Sequence, residues 1–191
     1  MSKKLIEIRW HGRGGQGAVT AAKILAEAAL SEGKYIQAFP EYGPERTGAP
    51  VKSFTRISNE PIRIHSQVTN PDIVVVLNST LIGPVDVTEG VSEVNGIIIV
   101  NTNESPDKMR RKMGFTGGKV YVVDATSIAL NKLGRNIPNT PMIGAVIKMT
   151  KVVKLETILA DFKKKFSKKF KEEVIKGNLE AIETAHNEVK G

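Results

Sequence analysis

The sequence predicts an α/β fold: a three-layer, Rossmann-like domain with a mainly parallel central sheet, a β-hairpin insertion and C-terminal helices. Three observations carry this expectation. The runs Asp72–Leu77, Gly96–Asn101 and Lys119–Asp124 are apolar and β-branched without polar alternation, as strands covered on both faces tend to be. Helical patterns alternate with these runs instead of following them in a block. A further strand-like run, Leu5–Trp10, passes through a glycine-rich turn into a strong helical pattern at Ala18–Glu32.

In chain order, Leu5–Trp10 is the first strand. The helix after it is set by Ile24, Leu25, Ala28 and Ala29 at helical spacing. Tyr35–Phe39 reads as the second strand. Val51–Ile57 and Pro61–His65 alternate in polarity around the turn-rich link Ser58-Asn59-Glu60, which predicts a hairpin. The three buried runs follow, and after the last comes a helix at Thr126–Leu133. Another helix begins near Asn139-Thr140-Pro141, with Thr140 as the expected cap and Pro141 in the first helical position. Two amphipathic helices, near Leu155–Phe166 and Glu172–Val189, close the chain. The 191 residues suit one domain, with an α/β core over about 5–152 and a helical segment over 153–191.

Composition excludes several classes. With 0 Cys the chain holds no thiolate-ligated iron–sulfur cluster, no Cys-type zinc and no disulfide. His11, His65 and His186 are scattered without ligand-spaced carboxylates, so no metal site is expected. No signal peptide is read at the N-terminus, and the apolar runs are too short to cross a bilayer, which gives a cytoplasmic expectation with no membrane partner. A net charge of +8 points to an acidic partner without saying which. The densest basic stretch, Lys163–Lys171, carries Phe162, Phe166 and Phe170 at spacing four; it reads as a solvated helix end with the rings turned inward, the alternative being a landing surface for an acidic protein or a nucleic acid. Aromatics are only 5% and show no stacking pattern on strands, which argues against nucleic acid.

The chemistry concentrates in two loops. Gly12, Arg13, Gly14, Gly15, Gln16 and Gly17 lie at a strand-to-helix turn, where unpaired helix N–H groups and the helix dipole favour an anion. Gly12, Gly14 and Gly17 satisfy G-x-G-x-x-G, a weak signal alone. In the notional site the glycines admit the ligand closely, Arg13 adds charge and Gln16 fixes an oxygen. The second loop, Gln37–Pro50, leaves a strand at the edge where doubly wound folds bind ligands. Pro44 and Pro50 stiffen it, Gly43 and Gly48 free it, and Glu45 and Arg46 arm it.

These motifs carry a resemblance. Ile8–Ala18 and Gln37–Pro50, followed in order by Asn70–Val76, Val100-Asn101-Thr102, Val123–Thr126 and Ile137–Met142, look like the gamma subunit of pyruvate:ferredoxin oxidoreductase, within the 2-oxoacid:ferredoxin oxidoreductase family. The likeness covers about Leu5 to Val152. It departs at Thr47, where many relatives carry an arginine beside the position of Arg46. The resemblance implies a subunit that is not active alone. It would work with alpha, beta and delta subunits in converting pyruvate, coenzyme A and oxidised ferredoxin to acetyl-CoA, CO2 and reduced ferredoxin. Thiamine diphosphate, Mg2+ and [4Fe–4S] clusters would sit on those other chains and none on this one. This chain would pack on the thiamine-binding chains and help bind coenzyme A, through Gly12, Arg13, Gly14, Gly15, Gln16, Gly17, Tyr42, Glu45, Arg46, Asn139 and Thr140. No catalytic residue is expected here.

Three alternatives stay open. One is a gamma subunit serving another 2-oxoacid, 2-oxoisovalerate or 2-oxoglutarate. A second is a nicotinamide- or flavin-binding reductase domain; it expects an acidic residue ending the second strand, and Glu41 beside Pro40 fits that role poorly. A third is a basic nucleic-acid-binding module, to which the glycine turn and buried strands give no part.

Overall fold

The computed structural model describes residues 5–41 and 48–191. Its strands are β1 Leu5–Arg13, β2 Tyr35–Pro40, β3 Pro50–Ser58, β4 Ile73–Val76, β5 Ile97–Asn101 and β6 Lys119–Val123. They form one sheet in the order β2-β3-β1-β4-β5-β6. β1, β4, β5 and β6 pair in parallel, whereas β3 runs antiparallel between β1 and β2. The helices are α1 Ala18–Ser31, α2 Pro106–Met113, α3 Ala125–Leu133, α4 Asn139–Thr150, α5 Leu155–Phe166 and α6 Glu172–Glu188.

The period-two alternation of side chains splits the apolar strands between two cores. Ile73, Val75, Ile99 and Val123 point to one face and pack with α1, α4, α5 and α6; Val74, Val76, Ile98, Val100 and Val122 point to the other, against Met109 of α2 and Val87 and Phe115. α1 lies close on the sheet because its buried positions are mostly alanine: Ala18, Ala21, Ala22, Ala28 and Ala29. That closeness lets Thr55 Oγ1 of β3 donate to Ala22 O at 3.2 Å while accepting from Nε1 of the fully buried Trp10 at 3.0 Å. At the far edge, the two backbone bonds between Val122 and Lys190 cover β6 with the end of the chain, which blunts an edge strand.

The expected hairpin between Val51–Ile57 and Pro61–His65 does not form. Residues 59–68 carry no strand, and β3 instead makes its hairpin with β2. The reason is competition for edges: β1 and β2 take both sides of β3, and Pro61 removes a donor from the would-be partner. The segment still touches the sheet at β2, since Ile64 O accepts from Gln37 Nε2 at 3.0 Å. Helix α4 begins at Asn139, with Pro138 at the cap position and no side-chain cap, so Thr140 lies inside the helix and does not cap it. Phe170 is 48% exposed, so the three rings are not all turned inward. Helix α2 carries no apolar stripe; Met109 is its one buried residue, and Ser105 caps it by accepting from Lys108 N–H.

On the face of β1 opposite α1, Arg9 and His11 are both buried. Arg9 Nε donates to His11 Nε2 at 3.0 Å, and its Nη2 donates to Val87 O at 3.2 Å and Glu89 O at 2.6 Å. This fixes a neutral His11 with its proton on Nδ1. Burial foremost, then Arg9 and Lys52, push its pKa from 6.5 down to about 3, against the opposing pull of Asp86. The unfolded chain therefore binds more protons than the folded one between those values. His11 contributes stability in full above pH 6.5, and that contribution is lost as pH falls towards 3. In urea unfolding, His11→Gln, which keeps an acceptor for Arg9, is expected to flatten the acid limb by up to about 1.4 kcal/mol per pH unit. Identical acid limbs in the two proteins would contradict this.

Candidate functional site at the carboxyl edge of the sheet

β1 ends at the edge shared by the carboxyl ends of β2, β4, β5 and β6. Its last residues turn over Gly14, Gly15 and Gln16 into α1. The turn is held by Gln16, whose N–H donates to Arg13 O at 3.0 Å and whose Oε1 accepts from Arg13 N–H at 2.8 Å. That oxygen is occupied by the turn, so only the amide NH2 end of Gln16 is left to meet a ligand. Positive φ falls on Gly15 at 93° and Gly17 at 80°. Gly17 is the N-cap of α1 and brings no side-chain cap; the first helical bond runs from Ala21 N–H to Gly17 O at 2.9 Å. The N–H groups of Ala18, Val19 and Thr20 therefore lack helical partners, and no acidic residue stands in that first turn.

Two glycines are needed here for space. A Cβ on Gly12 would lie 3.2 Å from Ala18 Cβ, where strand and helix pack closest. A Cβ on Gly17 would lie 2.6 Å from Asn139 Nδ2 and 2.8 Å from its Cγ. The buried side chain of Asn139 thus fills the place of a residue-17 side chain and ties the start of α4 to the start of α1. Thr140 is buried beside it and donates to Asn139 Oδ1 at 3.4 Å. The residues expected at 12–17 and 139–140 come together.

Tyr42, Glu45 and Arg46 lie outside the described residues. The stem of their loop is fixed to the glycine turn: Gly14 N–H donates to Ala49 O at 2.9 Å, Gly48 N–H to Gly14 O at 3.3 Å and Arg13 Nη1 to Gly48 O at 3.1 Å. Arg13 also reaches Thr80 Oγ1 through Nε at 3.2 Å and Nη2 at 3.0 Å. Thr80 is held in turn by Asn78 Oδ1, at 2.7 Å from Oγ1 and 3.0 Å from N. Asn78 and Thr80 were not among the expected site residues. Their signal was position: a polar Asn-Ser-Thr run directly after a buried strand opens on the ligand edge. Beyond them Asn101 Nδ2 donates to Leu77 O at 2.8 Å and to Thr126 Oγ1 at 2.9 Å, bracing the ends of β4, β5 and α3. Among the described residues, the part of the edge around Arg13 and the open start of α1 is polar, and the first turn of α1 carries no acidic residue. Among the described residues no group of three or more His, Cys, Asp or Glu side chains could hold a metal, and no helix is long and apolar enough to cross a membrane.

The family model for pyruvate ferredoxin/flavodoxin oxidoreductase matches residues 7–188. The chain is 54% identical over 190 residues to a Thermotoga maritima protein named pyruvate synthase subunit PorC, covering 100% of this chain and 97% of that one. It is 54% identical over 179 residues to a Pyrococcus abyssi protein named pyruvate/ketoisovalerate oxidoreductases common subunit gamma, covering 94% and 96% of the two. The crystal structure of the T. maritima pyruvate oxidoreductase subunit PORC superposes with a TM-score of 0.87 at 51% identity, covering 98% of both chains.

The two positive-φ glycines separate strain from crowding. Gly15 has open space around its missing Cβ, so Gly15→Ala should cost only the left-handed backbone term, about 1 kcal/mol. Gly17→Ala adds the collision with Asn139 and should cost about 2 kcal/mol or more. Urea or thermal unfolding measures both; equal losses would contradict the Asn139 contact.

Proposed function

The chain belongs to the pyruvate ferredoxin/flavodoxin oxidoreductase family, as a gamma subunit of the pyruvate synthase type, and on that premise we propose that its carboxyl sheet edge receives the phosphate end of coenzyme A. The observation that carries the proposal is the start of α1: Gly17 offers no capping side chain, three N–H groups there lack helical partners, and Arg13 lies in the turn that leads into it. Coenzyme A presents a pyrophosphate and a 3′-phosphate, and both the dipole of α1 and a guanidinium attract such anions. The fit is chemical as well as electrostatic. Arg13 is held by its three bonds to Gly48 and Thr80, yet its guanidinium has more N–H donors than these bonds use. Gly15, half of the strained turn, is exposed and leaves room for close approach.

In the assembled enzyme, thiamine diphosphate with Mg2+ and [4Fe–4S] clusters on alpha, beta and delta chains supply decarboxylation and electron transfer to ferredoxin. The absence of cysteine fits that division of labour. This chain binds and orients, and the 2-oxoacid pocket lies elsewhere. The P. abyssi relative is named for both pyruvate and ketoisovalerate, which favours a second reading in which the subunit serves complexes of more than one oxoacid specificity.

Two outcomes follow from this function. The purified chain alone should show no pyruvate-dependent viologen reduction, and co-expression with the other subunits should restore it; turnover by the isolated chain would refute the subunit role. In the assembled complex Arg13→Ala should raise the KM for coenzyme A about tenfold while pyruvate decarboxylation without coenzyme A persists. An unchanged dependence on coenzyme A would move the phosphate contacts to other chains.

A further inference from the structure

On the helical side of the sheet, a cleft of about 540 Å3 opens between α1, the α3–α4 connection, α5 and the start of α6. One wall is an aromatic ladder. Phe162, Phe166 and Phe170 follow one another with ring centroids 4.5 Å and 5.4 Å apart. Burial falls steeply along it, from Phe162 at 4% exposed to Phe170 at 48%, and Val174 beside it is 45% exposed. Ile24, Leu133 and Ile137 face the ladder across the cleft. An apolar wall that runs continuously from core to solvent is unusual on a surface that meets only water.

The sequence that flanks the ladder is strongly cationic. Lys163, Lys164, Lys165, Lys168, Lys169, Lys171 and Lys176 stand against Glu172 and Glu173 in the same stretch. Lys165 is spent on Glu27, and Lys176 lies 3.9 Å from Glu180. Among the described residues, no carboxylate pairs with the five remaining lysines. The cleft itself is lined by Arg135, by Lys132, which pairs with Glu180, and by Glu173.

We propose that this cleft docks an acidic segment of another chain of the same enzyme, with aromatic or aliphatic anchors set between Asp and Glu residues. The proposal rests on the assignment of this chain as a subunit. Anchors would enter between Phe166, Phe170 and Val174, completing the burial that the ladder begins, while the unpaired lysines set orientation and speed encounter. The concave shape selects side chains inserted one at a time, which neither a flat bilayer nor a stacked run of bases supplies. The cleft shares Thr20, Asn139 and Thr140 with the site at the start of α1, while Arg13 and the glycine turn are not among its lining residues.

The test uses the co-expressed complex with an affinity tag on this chain. Phe170→Asp and the double variant Lys168→Glu/Lys169→Glu alter exposed side chains, so circular dichroism should match the unaltered protein. Each should lower the co-purified partner chains about tenfold at moderate salt. A photo-reactive phenylalanine at position 170 should crosslink to a partner peptide rich in Asp and Glu. Variants that retain partners as well as the unaltered chain, or a crosslink to a basic peptide, would overturn the cleft proposal and leave the subunit role standing. Partners absent even with the unaltered chain would overturn both. Assembly unaffected, with binding to phosphatidylglycerol vesicles lost in both variants, would assign the cleft to a membrane surface and overturn the proposal.

Discussion

The packing of Asn139 into the space left by Gly17 joins the starts of two helices that are more than a hundred residues apart in sequence, and the carboxyl edge of the sheet is organised around that contact. It requires a residue with positive φ and no side chain at the N-cap of α1, which denies the helix the Ser, Thr, Asp or Asn that would ordinarily satisfy its first amides. The same contact that tightens the fold therefore leaves an anion-attracting helix start without a cap. Stability and binding potential arise here from one steric fact.

The antiparallel strand β3 supplies the second constraint. By running against β1 and β2 it brings its own start, Gly48 and Ala49, to the glycine turn, where both exchange backbone hydrogen bonds with Gly14. Arg13 then spans from that stem to Thr80 after β4, so three successive elements of the sheet edge meet at one guanidinium. Among the described residues its partners are carbonyl and hydroxyl acceptors, which orient the cation without neutralising it. That is the property an anion site needs.

Much of the fold was legible in the sequence because the signals were strong and local. The runs around Val75, Ile99 and Val122 lacked polar alternation, and only strands covered on both faces tolerate that. The amphipathic periodicity near Leu155–Phe166 marked α5. Pro61–His65 misled because alternation reports a half-buried extended segment but not whether any neighbouring edge is free to pair with it. Helix α2 was silent because a single buried methionine makes no stripe; only Ser105 before it, Pro106 at its first position and Gly114 after it mark its ends. In the site, the glycines were visible as residue types, and the resemblance added Asn139 and Thr140. The partners of Arg13 and the burial of Arg9 were not, since Thr80, Val87 and Glu89 are brought in by tertiary folding from more than sixty residues away.

The central claim is that the open start of α1 faces the phosphate groups of coenzyme A in the assembled enzyme. Amide hydrogen exchange of the complex, followed on the peptide spanning residues 12–20 with and without coenzyme A, addresses it most directly. The N–H groups of Ala18, Val19 and Thr20 lack helical partners and should exchange fast in the free complex. Coenzyme A should slow them, and inorganic phosphate at the same concentration should do so less. Unchanged exchange in this peptide, with protection appearing only on other chains, would contradict the account.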